Sequence, residues 1–437
     1  MDTRPEPNIS IDAALAEARE HYVATHAACQ AQYQTACADL PGGNTRTVLF
    51  FEPFPLTFVR GEGQYLWDAD GQRYIDFLGE YTAGLFGHSH PAIRAAIDAA
   101  LDNGISFGGH NRMEAALAAM LTARVPSLEL VRFTNSGTEA NLMALATACA
   151  ITGRSKVLVI DGGYHGGVLY FGGGGSPINA PFDFLLATYN DIDQTCRLID
   201  EHGPDLAAVI LEPMIGAGGC IPADQAYLEA IRDATRRHGT VLVFDEVMTS
   251  RLAPGGLQEA TGVTPDMTTL GKYIAGGMSF GAFGGGADLM ARFDPRSADA
   301  FPHAGTFNNN VLSMSAGIAA MGAVYTPDVV ADFNARGDTL RARLNGLAAH
   351  HGAAMQVTGR GSMMTVHFRT GPIRNPADAA AGNADLRELF FFDLLARGLY
   401  TARRGMIVLS LPITDADCDA LVEAVEDFLT TRRPLLA

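Results

Sequence analysis

The sequence has few basic residues. Lysine and arginine together number 31, against 48 aspartates and glutamates, which gives a formal net charge of -17. Proteins that bind nucleic acids attach to the phosphate backbone through clustered lysine and arginine side chains. The charge balance therefore excludes a nucleic-acid partner and favours chemistry on small molecules.

Long apolar stretches and a targeting leader are also missing. No apolar run approaches the length of a membrane span, and residues 1–22 carry acidic groups where a signal peptide needs a basic start and an apolar segment. The six cysteines form no CxxC pair and no metal-ligand spacing, as is typical of reduced thiols. We therefore expect a cytoplasmic protein without membrane contact and without a bound metal.

The central part of the chain has the pattern of an α/β sheet. Between about 90 and 320, amphipathic helices alternate with short apolar runs at 130–133, 156–160, 206–211, 240–244 and 281–284. This alternation predicts a mainly parallel sheet with helices on both faces. Ligands bind beyond the carboxyl ends of the strands in such sheets.

The flanking segments differ from this centre. Residues 10–40 have the pattern of a helix, and residues 57–78 that of a small meander of short strands. From 326 onward, helices near 326–350, 384–397 and 414–431 alternate with strands, which predicts a smaller α+β domain. We expect three stretches, namely 1–75 packing with the small domain, 76–325 as the large domain, and 326–437 as the small domain.

The strand at 130–133 breaks at Ser136, Gly137 and Thr138, and a helix begins at once. Free backbone N–H groups and the positive end of the helix dipole then face one point, where a phosphate can bind. The same residues also suit an ordinary helix N-cap.

Two later residues have the properties of reactive groups. Asp245 directly follows the apolar run at 240–244, and a carboxylate at that edge of the sheet can keep a pyridinium nitrogen protonated. Lys272 lies among apolar and small residues, and desolvation there lowers the pKa of an amine and makes it a nucleophile. The alternatives are that Asp245 is a structural acidic residue at a strand end and that Lys272 is an ordinary surface lysine. Tyr164, in a glycine-rich turn, can stack on a flat ring or serve as a buried structural residue.

Together these motifs resemble the class III aminotransferases, which are pyridoxal 5'-phosphate (PLP) enzymes of fold type I. The resemblance covers nearly the whole chain. It implies that Lys272 binds PLP covalently and that Asp245 pairs with the pyridinium nitrogen. It also implies contacts to the cofactor phosphate from Ser136, Gly137 and Thr138, to the ring faces from Tyr164 and Val247, and near the cofactor from Glu212.

The resemblance implies an assembly as well. Thr306, in the phrase Gly-Thr-Phe-Asn, is similar to a threonine that reaches the phosphate of the neighbouring subunit, so a homodimer with shared active sites is expected. The segment 245–251 departs from the family pattern, because Met-Thr-Ser-Arg stands where many members have an ending in Gly-Phe-Arg. The role of Arg251 therefore stays open.

Two arginines bear on the substrates. A guanidinium matches both oxygens of a carboxylate, although either arginine could instead pair with an acidic residue of the chain. The phrases around Arg46, Tyr81 and Arg404 resemble those of aromatic β-amino acid (β-phenylalanine) aminotransferases. That resemblance implies that Arg46 grips the carboxylate of the β-amino acid, that Arg404 grips that of a 2-keto acid such as 2-oxoglutarate or pyruvate, and that Tyr81 lines the pocket.

Other activities share some of these motifs. The segments 245–249 and 268–272 are also similar to those of glutamate-1-semialdehyde 2,1-aminomutase, and further ω-aminotransferases are alternatives. An aminomutase moves the amine within one molecule, so it has no need for Arg404 as a second carboxylate grip. A non-catalytic protein of the same fold is the alternative from another class, and it is expected to have lost Lys272 or Asp245.

Overall fold

The computed structural model describes residues 10–436. Their helices are α1 (Ile11–Thr25), α2 (Ala27–Ala36), α3 (Pro91–Leu101), α4 (Arg112–Arg124), α5 (Gly137–Thr152), α6 (Ile192–His202), α7 (Gln225–His238), α8 (Leu257–Thr261), α9 (Ala287–Met290), α10 (Val311–Ala319), α11 (Pro327–His351), α12 (Pro376–Ala380), α13 (Ala384–Ala396) and α14 (Asp415–Thr431).

Their strands are β1 (Phe58–Glu62), β2 (Tyr65–Asp68), β3 (Arg73–Asp76), β4 (Leu130–Thr134), β5 (Lys156–Ile160), β6 (Asp183–Ala187), β7 (Leu206–Leu211), β8 (Met214–Ile215), β9 (Ile221–Pro222), β10 (Val241–Asp245), β11 (Met267–Gly271), β12 (Gly281–Gly285), β13 (Gln356–Arg360), β14 (Met363–His367), β15 (Leu399–Tyr400) and β16 (Met406–Val408).

A seven-stranded sheet with the order β4-β12-β11-β10-β7-β5-β6 forms the centre of the molecule. Successive residues of its strands face opposite sides, as the pleat of a strand requires. In β5, Val157 and Val159 pack in one core with residues of α5, whereas Leu158 and Ile160 pack in a second core with residues of α6 and α7. The prediction of an apolar sheet covered by helices on both faces is confirmed.

One strand runs against the others. β12 is antiparallel to both β11 and β4, while the remaining neighbours are parallel. Only residues 272–280 connect β11 to β12, which is shorter than the crossover of about a dozen residues that a parallel connection needs. The carboxyl ends of β4, β5, β7, β10 and β11 therefore share one edge of the sheet.

The N-terminal segment forms two helices and a meander. The single helix predicted over 10–40 is broken at His26, where the backbone leaves the helical region. The cause is Asp70, whose carboxylate accepts hydrogen bonds from the backbone N–H groups of Ala28 (2.7 Å) and Cys29 (2.9 Å) and so caps α2. β1, β2 and β3 form the predicted antiparallel meander, and β15 from the C-terminal part of the chain pairs parallel with β3.

The C-terminal segment contains a three-stranded antiparallel sheet, β13-β14-β16, with α11 and α14 packed together beside it. The three helices predicted there are confirmed as α11, α13 and α14. The proposed division at 76 and 326 stays a prediction, and the first nine residues of its first stretch lie outside the described residues.

Two further observations concern the chain from 10 to 436. No helix in that range combines the length and the apolar character needed to cross a membrane. The six cysteines, all within it, are free thiols.

Candidate active site

Lys272 directly follows β11 and opens a short 3-10 turn. Its φ of 52° lies in the left-handed region, which a residue other than glycine adopts only where its surroundings hold it there. The ammonium nitrogen Nζ donates a hydrogen bond to the carbonyl of Tyr81 at 2.9 Å. Burial and the nearby guanidinium of Arg404 lower the pKa of Lys272 to about 8. The amine can therefore lose its proton near neutral pH, as a nucleophile toward a carbonyl must.

Asp245 ends β10, the strand beside β11, and its side chain is buried. The oxygen Oδ2 accepts a hydrogen bond from the amide of Asn141 at 2.8 Å and lies 2.8 Å from Nδ1 of His165. The oxygen Oδ1 accepts a hydrogen bond from the backbone N–H of Val247 at 3.0 Å. These three contacts fix the orientation of the carboxylate at the same edge of the sheet as Lys272.

Ser136, Gly137 and Thr138 form the N-terminus of α5. Ser136 is the N-cap, and its hydroxyl accepts a backbone hydrogen bond at 3.1 Å from the third residue of the helix. A Cβ atom at Gly137 would lie 2.8 Å from a methyl group of Val247, and one at Gly166 would overlap the side chain of Thr138. The two glycines thus let neighbouring segments close around the helix N-terminus, where N–H groups and the helix dipole suit an anion such as a phosphate.

Glu212 and Tyr164 lie beside Asp245. The buried carboxylate of Glu212 accepts hydrogen bonds from the backbone N–H groups of Tyr164 (3.2 Å) and Gly216 (2.9 Å). Burial raises the pKa of Glu212 to about 7, and the charge of Asp245 acts in the same direction. The Tyr164 side chain is 42% exposed, so its ring is accessible to a ligand.

Two arginines meet on the ring of Tyr81. The guanidinium carbon lies 4.9 Å from the ring centre for Arg404 and 5.7 Å for Arg46, both within the range of a cation–π contact. Arg46 also forms an ion pair with Glu80, whereas Arg404 donates to the sulfur of Met406 at 3.5 Å. Because the carbonyl of Tyr81 holds Lys272, one residue connects both guanidinium groups to the amine.

Thr306 is placed differently from the other predicted residues. It is exposed in a turn at 306–309 that precedes α10. Its neighbour Phe307 is 60% exposed, and Asn308 in the same turn accepts a hydrogen bond at 3.0 Å from Asn135, which precedes Ser136. The turn thus lies on the surface and is linked to the N-terminus of α5.

The sequence analysis missed three features of this cluster, namely Asn141, Glu80 and the contact of His165 with Asp245. Asn141 had a usable signal, because it is a polar residue on the side of α5 that carries the buried Ala140 and Ala144. Glu80 also had one, since it precedes Tyr81 and has the charge opposite to that of the arginines. The contact of His165 joins a loop to the end of β10, 80 residues away in sequence, and no local pattern indicates it.

Arg251, whose role the sequence left open, is a buried structural residue. Its guanidinium donates to the hydroxyl of Ser362 at 3.1 Å, to the carbonyl of Thr82 at 3.2 Å and to the carbonyl of Leu409. The group also lies 5.6 Å from the ring centre of Phe333. Arg251 therefore joins the central sheet region to the C-terminal segment.

Comparison with known proteins gives one consistent result. The family model for aminotransferase class-III matches residues 51–429. The chain is 53% identical to a β-phenylalanine transaminase of Variovorax paradoxus, over 98% of each protein. It is 37% identical to a glutamate-1-semialdehyde 2,1-aminomutase of Rhodopirellula baltica, over 91% of this chain and 95% of that protein.

Solved structures agree with these relatives. A crystal structure of a β-phenylalanine aminotransferase from Variovorax paradoxus matches with a TM-score of 0.96 and 53% identity, over 98% of this chain and 99% of that one. A transaminase with PLP bound matches with a TM-score of 0.84 and 32% identity, over 92% and 97%. This chain is therefore an enzyme of the class III aminotransferase family, with the fold type I architecture.

Proposed function

We propose that this enzyme transfers the amine of an aromatic β-amino acid such as β-phenylalanine to a 2-keto acid, 2-oxoglutarate or pyruvate, and leaves a β-keto acid. The observation that carries the proposal is the contact of Arg46 and Arg404 with one ring, that of Tyr81, beside Lys272. Two guanidinium groups near one amine provide a carboxylate site for each of two substrates. The identity to the Variovorax enzyme supports the choice of an aromatic β-amino acid.

The proposed cofactor is pyridoxal 5'-phosphate, and the residues present fit it. Lys272 is the amine that would bind it covalently, and the fixed carboxylate of Asp245 would face the pyridinium nitrogen. The N-terminus of α5, closed by Gly137 and Gly166, suits the phosphate. Ser136 and Thr138 would hold the phosphate, Tyr164 and Val247 would contact the ring, and Glu212 would lie close to it. When bound, the cofactor supplies an electron sink for breaking the carbon–hydrogen bond beside the amine.

The protein's own groups would carry the remaining work. Arg46 would bind the carboxylate of the amino donor, and Tyr81 would line the pocket for its aromatic side chain. Lys272 would take the proton from the amine-bearing carbon and donate it to the bound cofactor, which is general acid–base catalysis at a pKa near the working pH. The Tyr81 carbonyl keeps Nζ in place, since it accepts a hydrogen bond from it at 2.9 Å.

The presence of Arg404 favours a reaction with two carboxylate substrates over a reaction within one molecule. An aminomutase retains a single molecule, whereas a transaminase must bind a second carboxylate after the first product leaves. Arg404 contacts the same ring as Arg46, which is the placement that a shared carboxylate site needs.

We also propose a homodimer in which Thr306 contributes to the phosphate site of the partner subunit. The exposed turn at 306–309 and the exposed ring of Phe307 support this arrangement, because an apolar side chain is stabilised by burial in an interface. A cytoplasmic location is proposed on the six free thiols.

Paired substitutions test the substrate assignment. Arg46→Met is expected to raise the KM for β-phenylalanine about tenfold or more, and Arg404→Met to raise the KM for 2-oxoglutarate or pyruvate by a similar factor, because each removes a charged hydrogen-bonding partner. The measurement is steady-state formation of glutamate or alanine by the holoenzyme.

Arg403→Met is the matched control, since Arg403 is exposed and pairs with Glu388; both KM values should stay near those of the unchanged enzyme. Turnover of glutamate-1-semialdehyde or a terminal ω-amine, with none of β-phenylalanine, would overturn the proposed substrate while leaving the family assignment intact.

A further inference from the structure

Four consecutive residues, 79–82, have a left-handed backbone conformation. The φ angles are 52° at Gly79, 50° at Glu80, 51° at Tyr81 and 83° at Thr82. Only the first is a glycine, so the other three hold a conformation that side chains disfavour. Strain of this kind persists where surrounding contacts impose it, and it often occurs at functional sites.

Contacts on both sides hold this turn. The carboxylate of Asp76 accepts hydrogen bonds from the backbone N–H groups of Leu78 (3.0 Å) and Gly79 (2.9 Å). The carbonyl of Thr82 accepts a hydrogen bond at 3.2 Å from the buried Arg251. The turn is thus anchored to the protein interior at both ends, and Glu80 and Tyr81 lie between the two anchors.

The two central residues, Glu80 and Tyr81, make different contacts. The carbonyl of Tyr81 accepts the hydrogen bond of Lys272, while the carboxylate of Glu80 forms the ion pair with Arg46. Arg404, on the same ring, forms no ion pair with a carboxylate of residues 10–436; its hydrogen bond goes to the sulfur of Met406. The two guanidinium groups of the pocket are therefore unequal, because one already has an anion and the other does not.

We propose that Glu80 is a specificity-determining residue that competes, as an internal carboxylate, with the substrate carboxylate for Arg46. A β-amino acid that binds at Arg46 replaces the carboxylate of Glu80, and Glu80 returns to Arg46 when the product leaves. This inference rests on the role proposed for Arg46 and adds the group that sets its affinity.

The exposure of the pair suits this exchange. The side chains of Arg46 and Glu80 are 41% and 58% exposed, so water and an incoming anion can reach both groups. An ion pair exposed to this degree is worth at most about 1 kcal/mol, which a carboxylate with two well-placed oxygens can match. An amine without a carboxylate cannot replace Glu80, so the pair also keeps Arg46 from facing such a substrate as an unpaired charge.

The test uses Glu80→Gln, which keeps the shape of the side chain and removes its charge. The ligand is 3-phenylpropanoate, which has the carboxylate and ring of the substrate but no amine, and calorimetry with the holoenzyme measures its dissociation constant. We expect Glu80→Gln to bind this ligand about two- to fivefold more tightly than the unchanged enzyme, which corresponds to about 0.4–1 kcal/mol.

Two further variants make the result specific. Glu62→Gln is the control, because Glu62 also forms a solvent-exposed ion pair, with Arg60 on β1; its affinity for 3-phenylpropanoate should not change. In the double variant Glu80→Gln with Arg46→Met the gain should disappear, since Arg46 is the group for which the two carboxylates compete. Glu80→Asp, which withdraws the carboxylate by one methylene, should lie between Glu80→Gln and the unchanged enzyme and serves as the second test if Glu80→Gln does not fold.

Unchanged or weaker binding by Glu80→Gln and Glu80→Asp would overturn the proposal. Weaker binding would mean that Glu80 orients Arg46 for the substrate. Failure of the proposed function has a different signature, because an enzyme that does not turn over β-phenylalanine can still show the tighter binding of 3-phenylpropanoate through Arg46.

Discussion

At the scale of the residue, Lys272 combines a reactive amine with a position that the backbone defines. Its left-handed φ and the hydrogen bond from Nζ to Tyr81 fix the direction of the side chain. Burial and the charge of Arg404 lower its pKa to about 8. Since both effects disfavour the charged form, Lys272 differs from an ordinary surface lysine in the pH at which it becomes a nucleophile.

This difference predicts a pH profile for cofactor binding. The rate at which the apoenzyme bonds to pyridoxal 5'-phosphate should rise about tenfold per pH unit up to about pH 8 and then level off, because the neutral fraction of the Lys272 amine saturates there. Stopped-flow absorbance over the range from about pH 6 to about pH 10 measures it. Nα-acetyl-lysine amide, whose side chain is its only amine, is the control in solution and should keep gaining rate up to about pH 10. An enzyme rate that climbs steadily through pH 9 would show that the site does not lower the pKa of Lys272 in the apoenzyme.

The same pKa determines how the free energy of unfolding of the apoenzyme changes with pH. A lysine whose pKa is lower in the folded state binds fewer protons there between about 8 and its ordinary value. The free energy of unfolding of the apoenzyme therefore gains a contribution from Lys272 as the pH rises through that window.

At the scale of the element, the N-terminus of α5 depends on glycines in other segments. Gly166 has a φ of 128°, and a Cβ there would overlap Thr138, a residue of the proposed phosphate site. The adjacent Gly167 has no atom within 4 Å of where its Cβ would lie. An added methyl group is therefore expected to disturb Thr138 at position 166 but not at position 167.

Gly166→Ala is therefore expected to weaken the binding of pyridoxal 5'-phosphate by about tenfold or more, because the strained backbone and the overlap would displace Thr138. Equilibrium dialysis of the cofactor measures this change. Gly167→Ala is the control and should leave the dissociation constant nearly unchanged. Equal affinities of the two variants would mean that Thr138 does not help to hold the phosphate.

Much of the element order could be predicted from sequence, and the failures have physical causes. β11, which precedes Lys272, was not among the predicted apolar runs, because two threonines interrupt its apolar residues. β10, which ends at Asp245, was visible because buried parallel strands are continuous apolar runs. The direction of β12 was not, since a short apolar run has the same composition in either direction. The break at His26 depends on Asp70, a residue more than 40 positions away.

The candidate site could be located in part from the sequence. Ser136 and Asp245 lie at the ends of strands that the apolar runs predicted, whereas Lys272 follows β11, which they did not predict. The left-handed turn at 79–82 was hidden, because three of its residues are types that ordinarily avoid positive φ. The pair of Glu80 with Arg46 was hidden as well, since any of 48 acidic residues could have been the partner.

At the scale of the whole molecule, Arg251 joins segments far apart in sequence. Its guanidinium connects Thr82, in the left-handed turn at 79–82, with Ser362 and Leu409 in the C-terminal segment. Burial lowers the pKa of Arg251 to about 10, so the group remains charged at neutral pH. A buried charge is tolerated when several acceptors surround it, and here those acceptors come from both parts of the protein.

Arg251→Lys is expected to lower the free energy of unfolding by about 2 kcal/mol or more, because an ammonium keeps the buried charge but cannot reach three acceptors. Urea unfolding of the holoenzyme measures the change. Arg343→Lys, at an exposed pair with Asp419, is the control and should change stability by at most about 0.5 kcal/mol. A loss no larger for Arg251→Lys than for this control would show that Arg251 is not a structural link.

The central claim is that this enzyme transaminates an aromatic β-amino acid, with Lys272 as the reactive amine and Arg46 and Arg404 as the groups that bind the substrate carboxylates. The most direct measurement is a half-reaction, in which purified holoenzyme is mixed with β-phenylalanine alone and the absorbance of the lysine-bound cofactor is followed. The account predicts that this absorbance decays to that of the amine form of the cofactor and returns when 2-oxoglutarate or pyruvate is added. An absorbance that stays constant with β-phenylalanine, but decays with glutamate-1-semialdehyde or a terminal ω-amine, would contradict it.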